Sequence, residues 1–474
     1  MHKSIVLLTA LAWLSGCAVG PDYQPVQPDA PERFLEAPQA SAGSADEQRF
    51  WAGFDDPMLA GLIRQTLDAN RDLRAALARY QRAEALLRGS RAEQLPDVGV
   101  SASAAEQHLA DVERTPPGAG DDRVELYQAA AGLSWELDLF GRLRRASEAQ
   151  RAELGAAGAD LAALQVALVG QLATSYFELR GLQQQLLVAR SNVDNQRQSL
   201  EIVRSRVGAG RGTAFDEVRA ISQLEATRAV VPDLQAAVRA RMFRIAVLTG
   251  QNPAALVDEL APPAPLPESL PVIPVGSPGE VLRRRPDIRA AERRLAAASA
   301  RIGVATADLF PSFSLDALIG SVASDSGDLF SAGAETRRVA LGVDWTFLDF
   351  GRVRSRIDAA DADSQAALAN YEQTVLLALE ETETQLVRYA RSRERSERLG
   401  AATDAAGEAA ELARTRYRQG FIGFFEVLAA EQELIDTRDA LIESRTAETL
   451  AMVNIYRALA GAPGAATPIA SAND

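Results

Sequence analysis

Two stretches of the chain, Gly141 to Val207 and Gly351 to Tyr417, keep a helical pattern for 67 residues each without one proline. At 1.5 Å per residue each makes a helix ~100 Å long. Helices in globular proteins average only ~11–12 residues. A helix this long must be covered by others along most of its length. Both are entered through the same junction. Residues Trp135 to Arg142 read W-E-L-D-L-F-G-R, and Trp345 to Arg352 read W-T-F-L-D-F-G-R, 210 positions later. Both also leave through a glycine turn, Arg206-Val207-Gly208-Ala209-Gly210 and Arg416-Tyr417-Arg418-Gln419-Gly420. Glycine suits the left-handed backbone that ends such a helix. A return helix follows each turn, about Phe215 to Leu248 and Phe424 to Leu459, closed by Gly250 and Gly461.

Before each junction the period changes from helical to two. In Val124 to Asp138 the residues Tyr127, Ala129, Ala131, Leu133, Trp135 and Leu137 alternate with polar ones, and Val98, Val100, Ala102 and Ala104 form a weaker partner. In the second half Phe313, Leu315, Ala317 and Ile319 alternate, then Val339, Leu341, Val343, Trp345 and Phe347. Each half therefore predicts a hairpin, over 97–138 and 312–349, whose strands join through a long polar loop. Strands of about ten residues with one apolar face fit a transmembrane barrel. A soluble sandwich would alternate in the same way.

Ahead of the hairpins, Leu59 to about Glu93 reads as one helix stopped by Pro96. The segment Asn70-Arg71-Asp72-Leu73-Arg74 matches Arg285-Pro286-Asp287-Ile288-Arg289 at an offset of 215. The offset falls to 210 past the strand loops, so the chain is a tandem duplication of helix, hairpin, long helix, turn and return helix. The boundaries are 57–250 for the first repeat and 280–461 for the second. Between them 251–279 is a Pro-rich connector, and 462–474 is a tail.

Composition narrows the chemistry. Lys3 is the only lysine, Cys17 the only cysteine, and His2 and His108 the only histidines. Schiff-base, Walker-A, Ser-His-Asp and Cys/His zinc chemistry need residues that the chain, without its export signal, lacks or has once, so no catalytic residue, metal or cofactor is expected. A net charge of −14 argues against a nucleic-acid partner. The triplet Asp349-Phe350-Gly351 lacks the other kinase elements and carries no kinase meaning.

The N-terminus has the layout of an export signal over 1–16: Lys3, the apolar run Ile5 to Leu14, and small residues up to Cys17. It is too short to span a bilayer. Leu14-Ser15-Gly16-Cys17 resembles a bacterial lipobox, with Cys17 as the acylated residue and outer-membrane lipid as its partner. Residues 17–56 then read as an extended lipidated tether.

Four strands cannot close a barrel in lipid, where single chains need about eight and an open edge leaves backbone groups unpaired. Helices ~100 Å long cannot cover both of their own sides either. Both features call for a ring of identical chains. The lipobox, Gly20-Pro21-Asp22-Tyr23, the run Arg284 to Leu295, Ala307 to Pro311 and the twin F-G-R junctions together resemble the outer membrane factor family of TolC-like channels, in its NodT-type efflux lipoprotein branch. The resemblance implies an α+β membrane protein and a homotrimer. Four strands per chain would complete a shared 12-stranded transmembrane β-barrel, continuous with a long α-helical periplasmic barrel. It also implies a periplasmic adaptor and an inner-membrane pump of the resistance-nodulation-division type, with the channel in the outer membrane.

By that resemblance Val207, Gly208, Gly210, Arg416, Tyr417 and Gly420 form the periplasmic tip where the adaptor docks. Phe425 falls at an apolar constriction and Glu426 at an acidic gate position, while Ala429 departs from a position often aspartate in relatives. Core packing for Phe425 and a solvated Glu426 is the competing reading. Trp135, Gly141, Arg142, Trp345, Gly351 and Arg352 mark the level where barrel becomes tunnel. The expected function is a passive efflux duct. A type I protein-secretion conduit and a non-conducting coiled-coil lipoprotein that spaces the two membranes are the alternatives.

Overall fold

The computed structural model describes residues 18–36, 47–114, 122–271 and 275–459; the signal segment, Cys17 and the tail at 462–474 lie outside them. The chain forms two compact units, one of residues 1–27, 79–158 and 290–372, the other of 28–78, 159–289 and 373–474.

The first unit is built on one four-stranded antiparallel sheet in the order β1-β2-β3-β4. The strands are β1 Asp97–His108, β2 Arg123–Leu137, β3 Ser312–Ala323 and β4 Glu335–Asp344. Register follows the alternation of the sequence. Val98, Val100 and Ala102 face Leu133, Ala131 and Ala129. Trp135 and Leu133 face Leu315 and Ala317, and those two face Leu341 and Val339. One face is thus apolar across all four strands, because a shift by one residue would invert it.

The second hairpin stops earlier than expected. Asp344 pairs with Ser312, and the residue before Ser312 is Pro311, which has no N–H to donate. Trp345 and Phe347 therefore lie beyond β4, whereas β2 is flanked on both sides and runs to Leu137 opposite Phe313.

The second unit holds the main core, and its helices are long. In chain order the helices among the described residues are α1 Glu47–Ala52, α2 Pro57–Ala69, α3 Arg71–Ala92, α4 Arg142–Gly208, α5 Ala214–Leu248, α6 Val257–Leu260, α7 Pro278–Arg284, α8 Pro286–Ala307, α9 Arg352–Gln419 and α10 Phe424–Ala458. The expected helix over 59–93 is two, broken at Asn70, whose ψ of 134° leaves the helical region. The break is useful. Asn70 Oδ1 accepts from the backbone N–H of Asp72 and Leu73, while Nδ2 donates to the Leu248 carbonyl at the end of α5 (2.8 Å). Arg285 repeats this in the second copy, where it breaks α7 from α8 (ψ 122°) and donates to the Ala458 carbonyl at the end of α10 (2.7 Å). One side chain from each repeat, Asn70 or Arg285, thus satisfies an orphan carbonyl at the end of its return helix.

The expected tether is pinned to the core by its aromatic residues. Phe34, Phe50, Trp51 and Phe54 join the core with Tyr176, Phe177, Met452 and Tyr456. Phe50 stacks on Tyr456 at 4.7 Å. A Pro-, Ala- and Gln-rich composition concealed these aromatics, each of which brings a large apolar surface to the core. The connector is held by Arg180 and Gln183 of α4, which donate to the Pro262 and Leu260 carbonyls (2.9 and 2.8 Å).

Candidate functional site

Each repeat contributes a junction in the first unit and a tip in the second. At the first junction Asp138 caps α4, accepting from the N–H of Leu143 and Arg144 (3.1 and 2.9 Å). At the second, Asp349 accepts from the N–H of Gly351 and Val353 (2.9 and 2.6 Å). Those two backbone bonds hold its carboxyl below the usual carboxylate range. Arg142 pairs with both oxygens of Glu136 (2.9 and 2.6 Å), and Arg352 donates to the Asp349 carbonyl (3.2 Å). The indole N–H of Trp135 donates to the Gln94 carbonyl, and that of Trp345 to the Leu309 carbonyl (3.0 and 3.2 Å). Each tryptophan thus ties the end of one helix to the end of a strand.

The two junctions differ in what covers them. Gly141 (φ 85°) is buried, and a Cβ there would meet Ala18 at 2.7 Å. The segment 18–23 is strapped across this junction. Val19 N–H donates to the Phe140 carbonyl (3.0 Å). Buried Arg145 donates to the Val19 carbonyl (3.2 Å) and to Asp22 (2.6 Å), and Tyr23 donates to Glu292 (2.6 Å). Burial and Glu292 push the Tyr23 hydroxyl well above its ordinary value. Phe140 stacks on Phe310 at 4.6 Å. The second junction is bare by comparison: Gly351 (φ 90°) has nothing within 4 Å of its Cβ position among the described residues, and Phe350 is 90% exposed.

At the tip both long helices end in the same Schellman geometry. Arg211 N–H donates to the Arg206 carbonyl and Phe421 N–H to the Arg416 carbonyl (2.8 and 3.0 Å), around Gly210 at φ 68° and Gly420 at φ 85°. The Arg206 guanidinium lies 4.4 Å over the Tyr417 ring and donates to the Tyr417 carbonyl. Tyr417 packs with Val203, Leu224, Phe424, Val427 and Leu428, with Val207 at the edge of the cluster. Burial raises the Tyr417 hydroxyl, with Arg206 opposing. Gly208 and Arg416 are exposed.

Phe425 and Glu426 are both exposed, and the Arg219 guanidinium of α5 lies 4.7 Å over the Phe425 ring. In the first turns of α10 the buried residues are Phe424, Val427 and Leu428, so Phe425 faces away from that cluster. Sequence reasoning missed Glu431, which is buried and held by Arg414, Ser199 and Gln196. Its signal was present: Glu431 continues the stripe Phe424, Val427, Leu428 and Leu434 at helical spacing.

Among the described residues no group of three His, Cys, Asp or Glu side chains could hold a metal. The family model for outer membrane efflux proteins matches residues 62–251 and 277–461. The chain is a member of the outer membrane efflux protein family. It is 31% identical over 459 residues to nodulation protein T of Rhizobium leguminosarum bv. trifolii, covering 93% of this chain and 94% of that one. It is equally 31% identical over 470 residues to the solvent efflux pump outer membrane protein SrpC of Pseudomonas putida, at 95% and 97% coverage. Among solved structures it resembles the outer-membrane channel OprN, with a TM-score of 0.87, 41% identity, and coverage of 94% and 99%. The Campylobacter jejuni CmeC channel, at 20% identity and a TM-score of 0.87, shares the fold. This efflux protein is therefore an outer-membrane channel component whose helices lie in the periplasm, with the TolC-like combination of long helices and a few strands. Its family is one of ducts, not of enzymes.

Proposed function

We propose that the efflux protein is the passive outer duct of a tripartite pump and works as a homotrimer in which three four-stranded sheets close one barrel. The observation that carries this reading is the pairing of β2 with β3. It joins the second strand of one repeat to the first strand of the other. The duplication prescribes the same joint between β4 of one chain and β1 of the next. Carrying the β2–β3 register through the offsets of 215 and 210 sets Leu341 opposite Ala104, Val343 opposite Ala102, Trp345 opposite Val100 and Phe347 opposite Val98. Every one of these pairs lies on the apolar face. Val98, Val100, Leu341, Val343, Trp345 and Phe347 are all at least 56% exposed within the chain. Phe350 would meet Leu95 of the neighbouring chain, as Phe140 meets Phe310, and Leu95 is 66% exposed.

A closed barrel leaves no edge in lipid, where each unpaired backbone group costs several kcal/mol. The same ring covers α4. By length and composition α4 is apolar enough to cross a membrane, yet only 28% of its most apolar window is buried within the chain.

Cargo enters from an inner-membrane pump, of the resistance-nodulation-division type by resemblance, and an adaptor docks on the tip turns Val207 to Gly210 and Arg416 to Gly420. Phe425 and Glu426 narrow the aperture. Three symmetry-related Glu426 carboxylates attract cations and repel one another. Opening is a shift of the return helices stabilised by adaptor contacts, a change of populations rather than chemistry. The pumps named for the relatives export solvent, toluene or antibiotic; the proposed cargo here is of the same kind, drugs or other small molecules. Lipid on Cys17 lies two residues from Val19, which is fixed to the first junction, so the strap holds the anchor at the barrel's base.

The register is the part most open to test. Leu341→Cys combined with Ala104→Cys is expected to cross-link neighbouring chains on oxidation, since directly opposite strand residues satisfy disulfide distances. Cross-linking only at pairs displaced along the strand, or none at all, would sink the trimeric joint. For the gate, a Phe425→Ala, Glu426→Ala double variant in planar bilayers should raise the closed-state conductance, and an unchanged conductance removes the assignment.

A further inference from the structure

The connector covers two hollows, one in each copy, and their linings differ. The first lies between α4 and α5 beneath Ala261 and Pro263, with a volume of about 530 Å³. Its apolar wall is Leu186, Leu187, Val238 and Met242. Val238 and Met242 are buried, while Leu187 is 47% exposed. Arg190 of α4 and Arg239 of α5 also line it, and no acidic residue does. Both arginines are exposed, and neither has a carboxylate partner among the described residues.

The second hollow, of about 820 Å³, lies against α9 and α10 beneath connector residues 265–271. Met452 lines it as Met242 lines the first, 210 positions earlier. Here the charges balance. Arg393 and Arg445 stand with Glu268 and Glu448, and Arg393 pairs with Glu397 (3.5 Å). Glu448 takes the place of Val238, and Glu397 that of Leu187. One copy thus keeps an apolar wall with two unpaired cations, where the other carries acid.

Close packing would ordinarily remove such a space. In the first hollow the roof is held in place by α4. Gln183 Nε2 donates to the Leu260 carbonyl (2.8 Å) and Arg180 to the Pro262 carbonyl (2.9 Å). Consecutive prolines at 262 and 263 restrict the backbone further. The connector therefore does not sag onto Val238 and Met242. The seven positions from Gln183 to Arg190 give the hollow a length of about 10 Å along α4.

We propose that the first hollow is a binding site for a small anionic amphiphile, one carboxylate on a single alkyl chain. The chain lies against Leu186, Val238 and Met242 under Pro263, and the carboxylate sits between the guanidinium groups of Arg190 and Arg239. The volume falls in the range of pockets that hold small molecules, which join a mostly apolar lining to a few polar groups. Guanidinium suits a carboxylate because its fork offers two parallel donors. A cationic chain of equal length would bring like charge to two arginines with no acid to offset it. The site uses neither the gate nor the joint between chains, so its test is independent of both.

That test is photolabelling of the full-length channel in lipid nanodiscs, without detergent to compete. Three probes share a decyl chain with a diazirine at its end and differ in the head: carboxylate, hydroxyl or trimethylammonium. The carboxylate probe is expected to label residues 183–190 and 235–242 saturably, and about tenfold more than the trimethylammonium probe, the factor that one charge-assisted contact supplies. Arg190→Gln combined with Arg239→Gln should cut this labelling about tenfold and leave any at residues 441–452 unchanged. Leu187→Trp, at an exposed position, should fill the hollow and abolish the labelling. Equal labelling by all three heads is plain apolar partition and overturns the site. Label retained by the glutamine or tryptophan variant overturns it as well, and so does equal label on the second hollow. No label on the native channel, as when a protein surface covers the groove in the assembled channel, has the same consequence. Should the glutamine variant fail to assemble, Leu187→Trp and the comparison of heads on the native channel decide.

Discussion

The two copies share a backbone plan and differ in where they put their charges and their cover. At the tips, α5 is capped locally by Thr213 and leaves Phe215 and Val218 exposed. In contrast, α10 lacks a side-chain cap, buries Phe424, Val427 and Leu428, and is pinned through Glu431. At the junctions, the first is covered by the N-terminal strap while the second is open. Duplication therefore supplies an internal control: one copy shows what the trace needs, and the departures in the other show what has been added. What has been added concentrates at the start of α10 and at the strapped first junction.

The largest expected effect separates the two tips. Glu431→Ala leaves Ser199 and Gln196 without their acceptor and Arg414 with only Glu411 (3.6 Å), and should destabilise the tip by about 3 kcal/mol, whereas Ile221→Ala at the matching, exposed place of the first copy should cost less than about 1 kcal/mol. Hydrogen exchange of the tip amides measures both, and equal losses would remove the asymmetry. The junctions come next. Gly141→Ala places a Cβ against Ala18 at φ 85°, and about 2–3 kcal/mol is expected. Gly351→Ala, at φ 90° in open space, should cost about 1 kcal/mol. Denaturant titration of the detergent-solubilised channel compares them.

A smaller pair concerns capping. Thr213→Ala should cost about 1 kcal/mol, and Gly423→Ser should stabilise the start of α10 by a few tenths of a kcal/mol and lower spontaneous opening. The open-channel frequency checks the second half of that statement. The smallest effect concerns pH. Burial lifts the Asp439 carboxyl above its ordinary value, with Glu443 and Asp436 adding repulsion; the first copy has Ala229 at the matching position. A raised carboxyl binds protons more tightly in the folded state, so this site withholds stability at neutral pH and returns it as pH falls through the raised value toward about 4. Asp439→Asn should raise stability at pH 7 and flatten that slope, which thermal melts across the pH range would reveal.

Much of this plan was legible in residue order. Alternation in Tyr127 to Leu137 and in Phe313 to Ile319 gave both the strands and their register, because a strand with one apolar face has only one register that keeps it so. Gly210 and Gly420 marked the turns because a left-handed residue without a Cβ is cheap there. The break at Asn70 was not legible. Its stimulus is the Leu248 carbonyl, 178 positions away, and a helix pattern carries no trace of such a partner. Phe34, Phe50, Trp51 and Phe54 were hidden by a composition that resembles a linker, and Pro232 sits inside α5 despite lacking an N–H.

The sequence by itself determined the repeat and the order of its elements. Those are properties of residue type and spacing, which propensity and periodicity read directly. Only the tertiary structure decided which copy is strapped, which tip carries a buried ion pair, and which strand edges remain to be joined. A carboxylate on a helix is written the same way whether water or Arg414 surrounds it, and burial alone turns Glu431 from a solvated charge into a tie among three helices.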